Sequence, residues 1–157
     1  MTIILVWFHF LAAVLWIGGA LFLSLVLVPI LKQDPFAAQR GPLFRAIAGR
    51  FRTAVWTAVI VLVVTGALLL HRRSDLLAPT TWPLWVQVKL FLVGLLTGLT
   101  ILHDFWLGPK VGRLLRAPHH AHTPAETLLI RFSPWVARLG LLLALAVLLA
   151  AAALVRS

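Results

Sequence analysis

The chain has 157 residues, of which 62% are hydrophobic and only 11% are charged, and its mean hydropathy is +1.03. A water-soluble domain of this length does not carry so little charge, so the composition excludes that class and indicates an integral membrane protein. The formal net charge of +10 would fit nucleic-acid binding in a soluble protein, but here membrane topology and attraction to anionic lipid explain it.

A membrane-spanning helix needs about 20 apolar residues, and the sequence contains four such segments. They predict helices at residues 3–31, 53–71, 83–107 and 134–155 of a single domain, 1–157. The predicted fold is an all-α, antiparallel four-helix transmembrane bundle. The first segment lacks a basic start and is longer than the apolar region of a signal peptide, so we expect it to be retained.

Local signals predict where these helices begin and end. Ser133 followed by Pro134 indicates the N-cap and first position of the fourth helix, and Thr81 or Trp82 is placed near the cap of the third. The first and third segments both leave the membrane at a proline. This similarity fits either a two-plus-two duplication or ordinary helix termination.

Basic residues concentrate in the first and third loops, whereas the second loop has only Arg72 and Arg73 against Asp75. The positive-inside rule therefore places loops one and three in the cytoplasm and both termini outside. We expect this orientation in a bacterial-type cytoplasmic membrane, with the lipid bilayer as the main partner and no role for nucleic acid.

The chain contains no cysteine, which excludes disulfides, thiolate metal sites and covalently attached c-type haem. Met1 is the only methionine, so metal ligands must come mainly from histidine or oxygen. Copper(I) favours sulfur ligands. Copper binding would rest on histidines, either His71 or the loop residues His119, His120 and His122.

His9 lies inside the first predicted helix, in an uncharged run from residue 1 to residue 31. An ionisable group within a membrane span marks a functional site, and we predict haem iron as its partner. The alternative is interfacial anchoring, because Trp7 stands two residues away.

Seven residues make nearly two helical turns, so His9, Trp16, Leu23 and Ile30 form one stripe. Small residues such as Gly19 stand beside this stripe and leave room for a flat ligand. Close packing against another helix is the alternative explanation of the glycine.

Lys89, two turns into the third predicted helix, is expected at a membrane level similar to that of His9. It fits a counter-charge for a haem propionate or an anionic substrate, a proton carrier, or a lysine that snorkels to the interface. His71 is either a second axial ligand or an interfacial loop histidine. Arg72 and Arg73 would help to neutralise propionates.

His103 and Asp104 lie at the other end of the third helix, and His103 is about 21 Å along the axis from Lys89. One compact site cannot contain both. Asp104 is expected to pair with Arg138, and a second haem at His103 would need another ligand.

Two motifs resemble a known family. Residues 9–22, with Trp16 seven residues after the histidine, and the segment from Trp85 to Lys89 resemble the membrane superfamily that contains CopD copper-resistance proteins and HemJ-type protoporphyrinogen oxidases. Residues 52–66, ending Val-Val-Thr-Gly, resemble the second helix of CopD-type domains. The resemblance covers residues 3–111. The chain lacks the further first-helix histidine of HemJ and a methionine-rich copper-ligand set.

In HemJ-like proteins the first-helix histidine is a haem b ligand and the lysine is functionally important. The resemblance implies these roles for His9 and Lys89, the latter as a catalytic residue, and a cofactor surface at Trp16, Gly19 and Trp85. It implies a haem b-binding, cytochrome-like protein for electron transfer, or a haem-dependent oxidoreductase. Quinol or a porphyrinogen and a redox partner are the expected partners, and a homo-oligomer is a further expectation. The alternative is CopD-like copper resistance or copper transport.

Overall fold

A computed structural model describes residues 2–36, 38–73, 82–116 and 123–156, without the side chains of residues 73, 155 and 156. Across these ranges every regular element is helical, and four segments are long and apolar enough to cross a membrane. They are Thr2–Leu31, Arg40–Arg72, Leu84–Leu114 and Pro124–Leu154. The prediction of an all-α membrane protein with four spans is therefore confirmed.

The chain divides into two compact units, residues 1–82 and 83–157, which we call hairpin one and hairpin two and describe separately. In hairpin one, α1 (Thr2–Phe22) continues into α2 (Val28–Leu31) and packs along α3 (Arg40–Arg73). In hairpin two, α4 (Leu84–Ile101) continues into α5 (Gly108–Leu114) and packs along α6 (Pro124–Arg156). Each unit is thus a pair of long helices.

The first span of each hairpin changes from α-helical to π-helical geometry just before a proline. The π-helical turn π1 (Leu23–Leu27) precedes Pro29, and π2 (Leu102–Leu107) precedes Pro109. Proline has no N–H for the carbonyl four residues earlier, and its ring crowds that carbonyl. In both spans this carbonyl lies inside the π turn, so the wider turn accommodates the proline and the helix continues.

The second helix begins at Arg40 rather than at residue 53, because polarity alone does not end a helix outside the membrane. Arg40 also closes the connection to the first span. Its Nε donates to the Leu31 carbonyl at 2.6 Å and its Nη2 donates to the Lys32 carbonyl at 2.9 Å. These carbonyls at the end of α2 have no helical N–H partner, so the guanidinium caps the first span.

The fourth helix begins at Pro124, and the prediction that Ser133 caps it is wrong, because Pro134 lies inside α6. The start is set by a capping box: Thr123 N–H donates to Glu126 Oε2 at 2.8 Å, and Glu126 N–H donates to Thr123 Oγ1 at 3.3 Å. The N-cap of α4 is Pro83, so Trp82, the residue before it, lies near the cap as predicted. Thr81 lies outside the described residues.

Most large apolar side chains on the spans are exposed; Leu149, for example, is 73% exposed. Such a surface is what helices present to lipid, where no water is available to penalise it. The buried side chains of the described residues are mainly small or of medium size; they include Ala12, Ile17, Val55, Ala58 and Val59 in hairpin one and Leu96, Ala144 and Ala150 in hairpin two.

Candidate functional site

His9 of α1 is held against α3 by a hydrogen bond between the helices. Its Nδ1 lies 2.8 Å from Oγ1 of Thr65. Thr65 is 6% exposed and is buried in the hairpin, while the His9 ring is half-buried. The imidazole therefore points toward the neighbouring helix of the same hairpin.

The residue after Thr65 shapes the surface on which the imidazole rests. A Cβ atom added to Gly66 would lie 3.4 Å from Cε1 of His9. The ring therefore packs on a part of α3 that has no side chain. The adjacent threonine and glycine together provide a polar contact and a flat surface for the ring.

Trp7 and Phe8, beside His9 on α1, have a different environment. Both are exposed, at 57% and 48%, and their rings meet edge to face with centroids 5.3 Å apart. Exposure of neighbouring aromatic rings is typical of an interfacial belt. His9 differs from them because it contacts the partner helix.

The other stripe residues divide into two environments. Trp16 and Leu23 are half-buried, whereas Ile30, beyond π1, is 40% exposed. The Phe51 ring of α3 covers Gly19, at the position where a Cβ atom would otherwise stand. The space predicted for a flat ligand at Gly19 is therefore filled by an aromatic side chain, as the close-packing alternative expects.

His71 and Arg72 lie near the end of α3. Arg72 Nη1 donates to Thr2 Oγ1 at 3.3 Å and so joins the end of α3 to the start of α1. His71 is exposed. It lies six residues beyond Thr65, which in a helix corresponds to about 9 Å of rise and about 120° of rotation. Helix geometry thus separates His71 from the contact between His9 and Thr65. The Arg73 side chain lies outside the described part.

Lys89 belongs to hairpin two and is half-buried on α4, one turn after Trp85, which is 39% exposed. The packing partner of α4 is α6. Between Leu139 and Leu154, α6 contains only leucine, alanine, valine and glycine. This apolar stretch offers neither a hydroxyl group nor a charge to Lys89.

His103 and Asp104 occupy π2, where His103 Nδ1 lies 3.1 Å from Asp104 Oδ1. Their side chains are 35% and 18% exposed. His103 lies beside the Asp104 carboxylate, and the Arg138 guanidinium lies 4.8 Å from the centre of the Trp135 ring. A cation–π contact stabilises an arginine in this position. The pair between Asp104 and Arg138 stays a prediction.

Within the described residues, no group of three or more histidine or acidic side chains is arranged to hold a metal ion. His119, His120 and His122 lie outside those residues. His9 stands out in the sequence by its chemistry, but its hydrogen-bond partner, Thr65, does not. The available signal was a threonine inside an apolar helix, next to a glycine, but sequence does not give the rotation of one helix against another.

These features define a class: an all-α membrane protein whose first span carries a histidine bonded to the second span. The family model described as "Copper resistance protein D" matches residues 45–154. The chain belongs to this family. Thr65 and Lys89 lie inside the matched segment, and His9 precedes it.

One relative comes from Aquifex aeolicus (strain VF5) and is described as "Uncharacterized protein". It is 31% identical over 103 residues, which are 65% of this chain and 67% of that protein. No solved structure matches this chain.

Proposed function

We propose that the protein handles copper within the membrane and that His9 is a copper ligand. Membership of the copper resistance protein D family supports the choice of metal. The observation that carries the choice of residue is the bond from His9 Nδ1 to Thr65, because it holds the imidazole by one nitrogen. Metal-binding histidines characteristically use the second nitrogen for a structural hydrogen bond.

The amino-acid composition indicates the chemistry of this copper site. Imidazole nitrogen binds copper well, whereas copper(I) sites favour thiolate and thioether sulfur. The chain has no cysteine and its only methionine is residue 1. We therefore propose nitrogen ligation of copper(II), with His9 as the ligand from hairpin one.

Metal analysis of the purified protein tests this proposal. Protein prepared in detergent with copper supplied is expected to retain copper near stoichiometry, and His9→Ala is expected to reduce it to background. His103→Ala is the matched control, because it removes another imidazole that is bonded within a span. Full copper retention by His9→Ala would overturn the role of His9.

Haem b is the second candidate, and the same bond favours it. A single anchored imidazole would be enough as the protein ligand to haem iron, because the porphyrin itself supplies four nitrogen ligands. The residues fit this group in part: His9 would hold the iron, but Phe51 covers Gly19 and helix geometry separates His71 from His9. Haem would therefore depend on His9 as the ligand from hairpin one.

When bound, haem would supply one-electron chemistry. His9 would hold and orient the iron, Trp16 would exclude water, and Arg72 would balance propionate charge. A lipid-soluble quinol or a porphyrinogen is the electron donor that suits this location.

An absorption spectrum of the same purified samples separates the two candidates. Haem b would give a Soret band with α and β bands in the reduced-minus-oxidised spectrum, lost in His9→Ala and retained in His103→Ala. Stoichiometric copper without these bands favours copper handling. A preparation with neither copper nor haem would overturn both candidates.

A further inference from the structure

We infer that Thr65 fixes the tautomer of His9, with the proton on Nδ1 and the lone pair on Nε2, so that Nε2 is the metal-binding atom. The inference deepens the proposed function and rests on it only for the metal. The tautomer itself follows from the positions of three polar groups: His9 Nδ1, Thr65 Oγ1 and the Val61 carbonyl.

The threonine hydroxyl has one hydrogen to donate. Its Oγ1 lies 2.6 Å from the Val61 carbonyl oxygen, one turn earlier on α3, and 3.4 Å from that of Leu62. A carbonyl oxygen can only accept. The short contact to Val61 therefore uses the hydroxyl hydrogen.

The contact between His9 and Thr65 must then run in the opposite direction. Because the hydroxyl hydrogen is directed at Val61, Oγ1 meets His9 Nδ1 at 2.8 Å as an acceptor. The imidazole nitrogen is consequently the donor and carries the proton. In a neutral imidazole the lone pair then resides on Nε2, the nitrogen that can bind a metal.

The surroundings of His9 and Thr65 favour this tautomer. Thr65 is buried at 6% exposure, so water does not compete easily for its hydroxyl group. The imidazole ring also rests on Gly66, which limits rotation toward α3. In an apolar span, a hydrogen bond between helices is among the few interactions that can orient a polar side chain.

Nitrogen NMR of metal-free protein tests the tautomer without any cofactor. The full chain, labelled with nitrogen-15 in histidine and placed in lipid nanodiscs, gives distinct shifts for protonated and unprotonated ring nitrogens. The signals of His9 are those missing from His9→Gln. We expect protonated Nδ1 and unprotonated Nε2 in the wild type. If the shifts of wild-type His9 show the proton on Nε2, the inference is overturned, regardless of the results for the variants.

Three variants identify the hydroxyl as the cause. Thr65→Val, which keeps the shape without the hydroxyl, is expected to mix the two tautomers, and Thr65→Ser to restore the wild-type pattern. Thr57→Val is the matched control. Thr57 is exposed, and its hydroxyl group donates to the Thr53 carbonyl one turn earlier at 3.1 Å, as Thr65 donates to Val61. Unchanged His9 shifts in a folded Thr65→Val protein would contradict the inference.

Copper titration of the same variants then separates this inference from the proposed function. Loss of an outer partner of a metal-binding histidine typically weakens metal binding about 10- to 100-fold, and we expect this for Thr65→Val but not for Thr57→Val. If the tautomer behaves as expected and neither copper nor haem binds, only the proposed function fails. If copper binds through His9 while Thr65→Val leaves both the affinity and the His9 nitrogen shifts unchanged, only the present inference fails.

Discussion

The two hairpins share one plan but treat their intramembrane polar group differently. In each, a first span passes through a π turn and a proline before a long second helix. His9 stands twenty residues before Pro29, and Lys89 stands twenty residues before Pro109. Aligned on their prolines, the two spans place an ionisable side chain at the same position.

The second helix accounts for the difference. In hairpin one, α3 supplies the Thr65 hydroxyl and a glycine surface to His9. In hairpin two, α6 is entirely apolar between Leu139 and Leu154. Hairpin one thus supplies a hydroxyl group to its polar residue from the neighbouring helix, whereas this stretch of α6 supplies none to Lys89. The difference between the hairpins shows that an ionisable residue in a span is held in one direction when the neighbouring helix offers it a hydrogen-bond partner.

The largest expected effect is a contrast between these two residues in metal binding. Under the copper proposal, Lys89→Met is expected to leave the bound copper unchanged, whereas His9→Ala removes it, because only the imidazole supplies a ligand atom. Metal analysis of matched preparations measures both. Equal loss of copper from the two variants would show that the hairpins do not differ in this respect.

Glycine packing is the next contrast. Gly19→Ala would bring a methyl group into the Phe51 ring, whereas Cβ atoms at Gly18, Gly94 and Gly98 would meet nothing within 4 Å. We expect Gly19→Ala to destabilise the protein by about 1–3 kcal/mol through overpacking, with little change for Gly98→Ala. Thermal unfolding in detergent, followed by circular dichroism, measures this.

Gly18→Ala is the matched control for that experiment, because it adds the same methyl group one residue away. Replacing Phe51 by leucine in the Gly19→Ala background should recover part of the lost stability. Equal stability of the Gly18 and Gly19 variants would argue against close packing at this position.

A smaller effect is expected for the threonines of the two hairpins. Thr65→Val removes a contact between helices, whereas Thr100, bonded to the Leu96 carbonyl at 2.8 Å, lies within one helix. Hydrogen bonds between membrane helices contribute about 0.6 kcal/mol on average, and we expect a loss of about that size for Thr65→Val. Thr100→Val should cost less. The reverse order in thermal unfolding would contradict the distinction.

The smallest expected effect concerns the start of α6. Thr123→Ala removes one half of the capping box with Glu126, and N-cap substitutions of this type cost about 0.5–2 kcal/mol. Because Thr123 is exposed at the helix end, we expect a value near the lower limit and local fraying. Hydrogen exchange of the first α6 amides measures it, with protection at Leu99 as the internal reference.

The four spans could be predicted from the sequence because their apolar length is fixed by the thickness of the bilayer. The helix starts at Arg40 and Pro124 could not be found by hydropathy, since polar residues continue a helix once it leaves the hydrocarbon. His9 stood out by its chemistry alone. Its contact with Thr65 and the Phe51 ring over Gly19 depend on how two helices are rotated against each other, which apolar spacing does not specify.

The π turn in the first span also sets the rotation of α2 about the helix axis relative to α1. A π-helical turn takes up one residue more than an α-helical turn, so the helix faces before and after it are out of phase by about 100°. The direction of the His9 imidazole relative to α2 is therefore encoded in the length of π1, whose only polar side chain is Ser24. Deleting one residue of π1 would bring α1 and α2 back into phase and rotate one relative to the other, with His9 and Thr65 both still present.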